Sequence, residues 1–277
     1  MDLGLTRRVA LIAGGSGGLG LAIARELARE GADVAIAARD PDRLAGAERA
    51  LREIARGRVL AARVDVRDDA QVRRWVEGVV AETGRLDIVV TNNGGPLIGP
   101  PTAFDVAGYR AAADTVLYPA ISLTLAALPH MRARGWGRLL FITSETVLRP
   151  VANLTLSGVM RTGLLRFAQA LVAELGASGI TVNLLAPAYL RTGPVERAAA
   201  DLAAQHGSDV ETEVRAMSRH IPLGRVGLAE EFAAVAAFFA SERAGFVTGT
   251  VQLVDGGAGA VGAQPDHLGV SSNHVFV

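Results

Sequence analysis

Apolar residues along this chain fall into short runs, separated by longer stretches in which they recur every three to four positions. The runs are VALIA (9–13), VAIAA (34–38), VLAARVDV (59–66), LDIVVTN (86–92), RLLFIT (138–143), ITVNLLA (180–186) and TVQLV (250–254). Their near-continuous apolar character suits strands covered on both faces, the condition of a parallel sheet. The intervening stretches, about 18–30, 41–56, 69–82, 106–133, 157–177 and 228–240, have helical spacing. Strand–helix alternation with crossovers of this length predicts βαβ units and a doubly wound parallel α/β sheet of about seven strands flanked by helices. No shift in composition marks a second domain, so 1–277 reads as a single domain. Segment 193–220 breaks the rhythm: it is polar, helical in pieces and follows a strand end. A flap over a pocket and a surface excursion both fit it. The tail, 258–277, is Gly-rich and ends NHVFV; it docks on a neighbouring subunit or frays.

Composition removes several chemistries. All 28 Lys+Arg residues are arginine and there is no cysteine, which excludes lysine Schiff bases, disulfides, thiolate nucleophiles and Cys-ligated zinc. The five histidines have no metal-ligand spacing, so no metal is expected. A formal net charge of +0 implies no nucleic-acid partner. No apolar run reads as long enough to span a membrane, and MDLGLTRRVALIAGG lacks the layout of a cleavable signal. The expectation is a cytoplasmic protein with a small-molecule substrate.

The richest stretch is VALIAGGSGGLGLAIARELAREGADVAIAARD (9–40). A buried strand runs into Gly14, Gly15, Gly17, Gly18 and Gly20, then into a helix. Glycines let the chain turn tightly and approach a pyrophosphate, while the helix start supplies N–H donors and positive dipole. In that setting Gly14, Ser16, Gly17, Gly18, Leu19 and Gly20 are expected to cradle a dinucleotide. GGSGG (14–18) also matches the G-x-S-x-G elbow with Ser16 as nucleophile, although that elbow normally lies deeper in the chain and no His is placed to serve it. At the tip of the second strand an acidic residue would bind the ribose of NAD. Ala38 stands there instead, followed by Arg39. Asp40-Pro41 reads as N-cap and first residue of the next helix, which leaves Arg39 to meet a 2′-phosphate and favours NADP(H) over NAD(H).

Together these segments resemble the short-chain dehydrogenase/reductase family over almost the whole chain. AGGSGGLG (13–20) resembles the family's glycine loop, and Asp65-Val66 its adenine-contacting pair. TNNGG (91–95) resembles its N-N-A-G segment, which points Asn92, Asn93 and Gly94 at the cofactor. Ser144, closing GRLLFITS, matches its catalytic Ser. NLLAPAYLRT (183–192) resembles N-x-x-x-P-G-x-x-x-T and sets Pro187, Ala188 and Thr192 toward the nicotinamide. The resemblance implies a single-domain Rossmann-type fold, hydride transfer to a small carbonyl or from an alcohol, and a homo-oligomer, dimer or tetramer, built through the long helices.

The same resemblance exposes a departure. A reduced carbonyl becomes an alkoxide that needs a proton. The family supplies it from a Tyr eased by a Lys four residues on, with Ser orienting the carbonyl and an Asn completing a water relay. Here Ser157 stands in the Tyr place, Arg161 in the Lys place and Val116 in the Asn place. Ser144, Ser157 and Arg161 are therefore the catalytic candidates, Arg161 also holding ribose, and Ser157 is a poor acid. Losing a positioned acid costs roughly 10²–10⁴ in rate, about 3–5 kcal/mol. Tyr189, Glu145 and His220 are possible substitutes. An activated carbonyl such as a 1,2-dicarbonyl would need the least acid help. The alternative is a dinucleotide-binding sensor or scaffold that has lost the chemistry.

Overall fold

The computed structural model describes residues 1–219 and 221–261. His220, His267, His274 and most of the anticipated tail lie outside them. The strands are β1 (Val9–Ala13), β2 (Asp33–Ala38), β3 (Val59–Arg63), β4 (Ile88–Thr91), β5 (Gly137–Ile142), β6 (Ile180–Pro187), β7 (Leu190–Arg191), β8 (Gly227–Leu228) and β9 (Val251–Val254). β7 and β8 form a small clip; the other seven make one sheet in the order β3-β2-β1-β4-β5-β6-β9, every neighbouring pair parallel. The order reverses between β1 and β4, and in such sheets ligands bind at the strands' C-terminal ends beside that switch.

The helices are α1 (Gly18–Arg29), α2 (Pro41–Arg52), α3 (Asp69–Thr83), α4 (Val106–Ala112), α5 (Tyr118–Arg134), α6 (Thr155–Leu175), α7 (Gly193–His206), α8 (Val210–Met217) and α9 (Ala229–Ala240). Two apolar layers result. Ile23 and Leu27 of α1, Leu44 of α2 and Phe232 of α9 pack with Ile12 and Ile36 on one face. Val76 of α3, Leu123 of α5 and Leu164 of α6 pack with Leu11 and Phe141 on the other. This two-sided burial is why the strands read as unbroken apolar runs. β3 is shorter than its run: after Arg63 the chain leaves the ladder, and the Asp65 N–H donates to Gln71 Oε1 at 3.0 Å.

Polar punctuation sets the helix starts. Asp40 Oδ1 accepts from the N–H groups of Asp42 (3.0 Å) and Arg43 (3.1 Å), with Pro41 following, so Asp40 is the N-cap of α2. Asp68 does the same for α3, accepting from Ala70 and Gln71. Between α4 and α5 the chain does not break but widens into a π-turn over Ala113–Leu117. The resulting helix, Val106–Arg134, is long and apolar enough by length and composition to cross a membrane, with mean hydropathy 1.5 in its most apolar window. That corrects the expectation that no run reaches such a length; half of this window is buried inside the protein.

Segment 193–219 contains α7 and α8, which close on a core of their own. Val195, Ala199, Leu202, Val214 and Met217 form it with Ile221 and Val226. Arg191 of β7 ties the two helices together by pairing with Glu196 and Glu211.

Opposite the crevice, at the N-terminal edge of the sheet, Asp87 is fully buried. Its carboxylate accepts from the Val9 N–H (2.8 Å), from Arg85 Nε and Nη2 (both 2.7 Å) and from Arg8 Nη1 (3.4 Å). Arg8 and Arg138 stack on the Trp136 ring, 3.8 and 4.1 Å from its centre.

Candidate active site

The glycine turn leaves β1 at its C-terminal end and enters α1. Gly14 has φ +61°, and a Cβ there would lie 2.5 Å from the Asn92 carbonyl oxygen. A Cβ on Gly20 would lie 2.3 Å from the Gly14 carbonyl oxygen. The turn is thus packed shut on its protein side, and Asn92 Nδ2 donates to Gly14 O across it at 3.4 Å. Its outer side shows the start of α1, where no side chain caps the free N–H groups. Ser16 and Leu19 are half-buried within it.

Two arginines flank this turn. Arg39, beyond the tip of β2, is exposed and makes no ion pair with any described residue. Arg43, in the first turn of α2, is also exposed and without an ion pair, and its Nη2 lies 2.6 Å from where a Gly17 Cβ would sit. Sequence reasoning missed Arg43. The available signal was the Asp40 cap, which fixes where the first turn of α2 begins and therefore which residue faces back over the glycines. Asp65 pairs with Arg67, whose guanidinium, with a weaker contribution from Arg39, holds the Asp65 carboxyl below its usual range. Val66 is half-buried beside it.

On the β4 side, Thr91 Oγ1 and Asn93 Oδ1 are buried without a hydrogen-bond partner. The Asn93 amide spends Nδ2 on the carbonyl of Val116, at 3.2 Å, in the π-turn. Val116 offers an aliphatic side chain, but its backbone is fastened from across the crevice by an asparagine on a different element. Gly94 follows, 4.0 Å (from an added Cβ) from Thr115 Cγ2.

Ser144, Ser157 and Arg161 do come together, with Thr146 as a link that the sequence did not single out. Ser144 Oγ accepts from the Thr146 N–H at 3.3 Å, and Thr146 Oγ1 lies 3.5 Å from Ser157 Oγ. One helical turn on, Arg161 Nε donates to Ser157 Oγ at 3.1 Å, and Nη1 donates to the Ile142 carbonyl at the end of β5 at 3.0 Å. Ser157 is 1% and Arg161 3% exposed, so this is a deeply buried guanidinium. Among the described residues no carboxylate pairs with it, and burial pushes its pKa down to about 10.

The possible substitute acids separate on electrostatics. Tyr189, at φ +55°, is pushed up to about 12, first by burial and then by the charge of Glu145 and Asp255. A phenol among carboxylates is a weaker acid than free tyrosine, the opposite of what proton donation at neutral pH requires. The Glu145 carboxyl is raised by burial, with Arg149 beside it opposing the shift. Pro187 closes β6, Ala188 N–H donates to Val254 O at 3.3 Å, and Thr192 sits at the N-cap of α7 with its hydroxyl on Leu190 O. Among the described residues no cluster of three metal-ligating side chains occurs.

A family model described as enoyl-(acyl carrier protein) reductase matches residues 13–259. The cis-4-hydroxycyclohexanecarboxylate dehydrogenase of Sinomonas cyclohexanicum is 35% identical over 268 residues, 94% of this chain and 100% of that protein. A short-chain type dehydrogenase/reductase from Mycobacterium ulcerans superposes with a TM-score of 0.82 at 32% identity, covering 93% of this chain and 92% of that one. The chain belongs to the short-chain dehydrogenase/reductase family. The chain also superposes on the L-sorbose reductase of Gluconobacter frateurii, solved in complex with NADPH and L-sorbose. That enzyme has a TM-score of 0.88 and 32% identity, over 92% of this chain and 98% of its own.

Proposed function

We propose that this short-chain dehydrogenase/reductase is an NADP(H)-dependent oxidoreductase acting on a small carbonyl or alcohol, on a divergent branch in which the Tyr-x-x-x-Lys pair is replaced by Ser157 and Arg161. The observation that carries the cofactor reading is the pair of unpaired arginines, Arg39 and Arg43, at the glycine turn. The fit to a dinucleotide rests on the cradle itself: Gly14 and Gly20 have no room for a methyl group, α1 presents free N–H donors, and Thr91 and Asn93 hold unpartnered polar atoms across the switch. When bound, the reduced nicotinamide supplies hydride. The chain's own residues do the rest. The α1 start and the glycine turn hold the pyrophosphate, Arg39 and Arg43 hold the 2′-phosphate, and Asp65 and Val66 flank the adenine. Pro187, Ala188 and Thr192 line the nicotinamide side. Ser144 orients the substrate oxygen, and Arg161 contributes a fixed positive charge. Segment 193–220 covers the pocket as a flap. A dimer or tetramer built on α5 and α6 is part of the same reading, supported by Tyr118, Leu125 and Val159, each half or more exposed.

Replacing both Arg39 and Arg43 with Ala weakens NADPH binding about 10- to 100-fold, the worth of charge-assisted hydrogen bonds to a phosphate, and leaves NADH almost unchanged. Fluorescence titration of the reduced nicotinamides measures both. Equal weakening for the two cofactors removes the 2′-phosphate assignment. Turnover on a panel of carbonyls and alcohols then separates an enzyme from a protein that only binds the nucleotide.

A further inference from the structure

The open edge of the sheet, along β3, has no part in this function. Backbone direction alternates along a strand, and two bonds fix its phase here. Arg58 O accepts from the Val34 N–H at 2.9 Å, and the Val64 N–H donates to Ala38 O at 3.1 Å. Residues 58, 60, 62 and 64 therefore face β2, and Val59, Ala61 and Arg63 turn their N–H and C=O groups outward. Side chains close the two ends of this outer row. Val59 O accepts from Arg52 Nη2 at 3.2 Å, and the Asp65 N–H donates to Gln71 Oε1 at 3.0 Å. Between them the backbone groups of Ala61 and Arg63 have no hydrogen-bond partner among the described residues. An open row of this kind is a template for a further strand.

A cavity of about 320 Å³ adjoins the start of the row, lined by Arg52 at the end of α2, by Arg58, Val59 and Leu60, and by Glu82 near the end of α3. Both guanidiniums are held in place. Arg52 Nε and Nη2 donate to Glu48 Oε1 at 3.1 and 2.6 Å. Arg58 Nε donates to Asp33 Oδ2 at 2.8 Å and its Nη1 to the Glu82 carbonyl at 3.0 Å. Arg52 Nη1 and Arg58 Nη2 are left without a protein partner among the described residues. At the far end of the row Arg63 makes no ion pair with any described residue. Two fixed guanidiniums, each with a nitrogen to spare, suit a carboxylate. We propose that the β3 edge docks an extended acidic segment of a partner protein, which adds as an outer strand on Ala61 and Arg63 and places one carboxylate in the cavity between Arg52 and Arg58. A second copy of this chain is disfavoured there, because edge-to-edge pairing brings the same arginines together. The proposal is independent of the oxidoreductase reading.

The probe is a fluorescein-labelled peptide, TVTETVT, amidated at its C-terminus, mixed with the full chain and read by fluorescence polarisation. Saturable binding is expected, about 10-fold or more tighter than that of TVTKTVT. Arg52→Gln or Arg58→Gln is expected to weaken it about 10-fold, the worth of one charge-assisted hydrogen bond. Glu82→Gln is expected to tighten it by removing the opposing charge. Ala61→Pro tests the strand pairing. The N–H it removes faces away from β2, a place where an edge strand tolerates proline, so this variant is expected to fold and to lose the peptide. If circular dichroism shows that it does not fold, the wild-type chain carries the comparison with two forms of TVTETVT, N-methylated at one or the other set of alternate residues. One form is expected to bind and the other to fail, since only alternate amides of an added strand face β3. No saturation up to millimolar peptide, equal affinity for the Glu and Lys peptides, undiminished binding to folded Ala61→Pro, or equal binding of the two methylated forms overturns the docking site. Self-association in sedimentation that Ala61→Pro abolishes gives the edge to a second copy and overturns it too.

Discussion

Gly20→Ala is expected to weaken dinucleotide binding at least ~100-fold, about 2.7 kcal/mol. The added methyl would lie 2.3 Å from Gly14 O and 2.7 Å from Asn92 Nδ2. Neither backbone can give way without moving the other: Gly14 is held at φ +61° between β1 and α1, and Asn92 leaves β4 across the switch. The turn must open, and the N–H groups at the start of α1 then leave the positions from which they would grip a pyrophosphate. Stability falls less, because the collision sits at the rim of the sheet. Gly78→Ala in α3 is the control; its methyl meets nothing within 4 Å. That change is expected to be neutral or to raise stability by up to ~1 kcal/mol through helix propensity, with nucleotide affinity unaltered. Isothermal titration of the folded variants reads both effects. Unchanged affinity in Gly20→Ala would detach the glycine turn from nucleotide binding.

Asp87→Ala is expected to produce the largest loss of stability, about 3–5 kcal/mol, or roughly 6–20 °C in Tm for a chain of this size. The carboxylate is fully buried and serves four donors at once: a backbone N–H of β1, two nitrogens of Arg85 and one of Arg8. Removing it strands the Arg85 guanidinium and the Val9 amide at the floor of the sheet and leaves Arg8 with Glu242 as its remaining carboxylate. Arg8 also stacks on Trp136, on whose ring Arg138 lies too, so the N-terminal strand loses part of its hold on the β5 side. The network lies at the opposite end of the strands from the crevice. Nucleotide affinity below the melting transition is therefore expected to stay at the wild-type value. A Tm within 2 °C of wild type, about a kcal/mol or less, would show that the arginines find water without cost.

Much of the fold was legible because its signals are local and repeat. Two-sided burial writes the inner strands as near-continuous apolar runs, the edge strands β3 and β9 are only partly buried, and the sheet contains all seven runs. Asp40-Pro41 wrote its cap in plain turn chemistry. The glycine turn was legible because only glycine tolerates the approach of Gly14 O to Gly20. The features that were missed are set by partners distant in sequence. Nothing between 106 and 134 announces a π-turn, and the Val116 carbonyl within it accepts from Asn93, in the loop after β4 and distant in sequence. Arg43 is an ordinary helix arginine until α2 is set beside the turn. Beyond the end of β3 at Arg63, the Asp65 N–H on the open edge of the sheet is taken by Gln71 of the next helix, a side-chain pairing that strand propensity does not register. At the catalytic candidates the four-residue spacing did place Ser157 and Arg161 on one face. Which of the two is committed to the other, and that no carboxylate among the described residues balances the charge, needed the fold.

The most direct measurement is a fluorescence titration of the purified protein with NADPH and NADH. Saturable binding of both, with NADPH the tighter, is the predicted result. Absence of any nicotinamide signal with either cofactor up to millimolar concentration would contradict the assignment of the crevice between β1 and β4 to a dinucleotide.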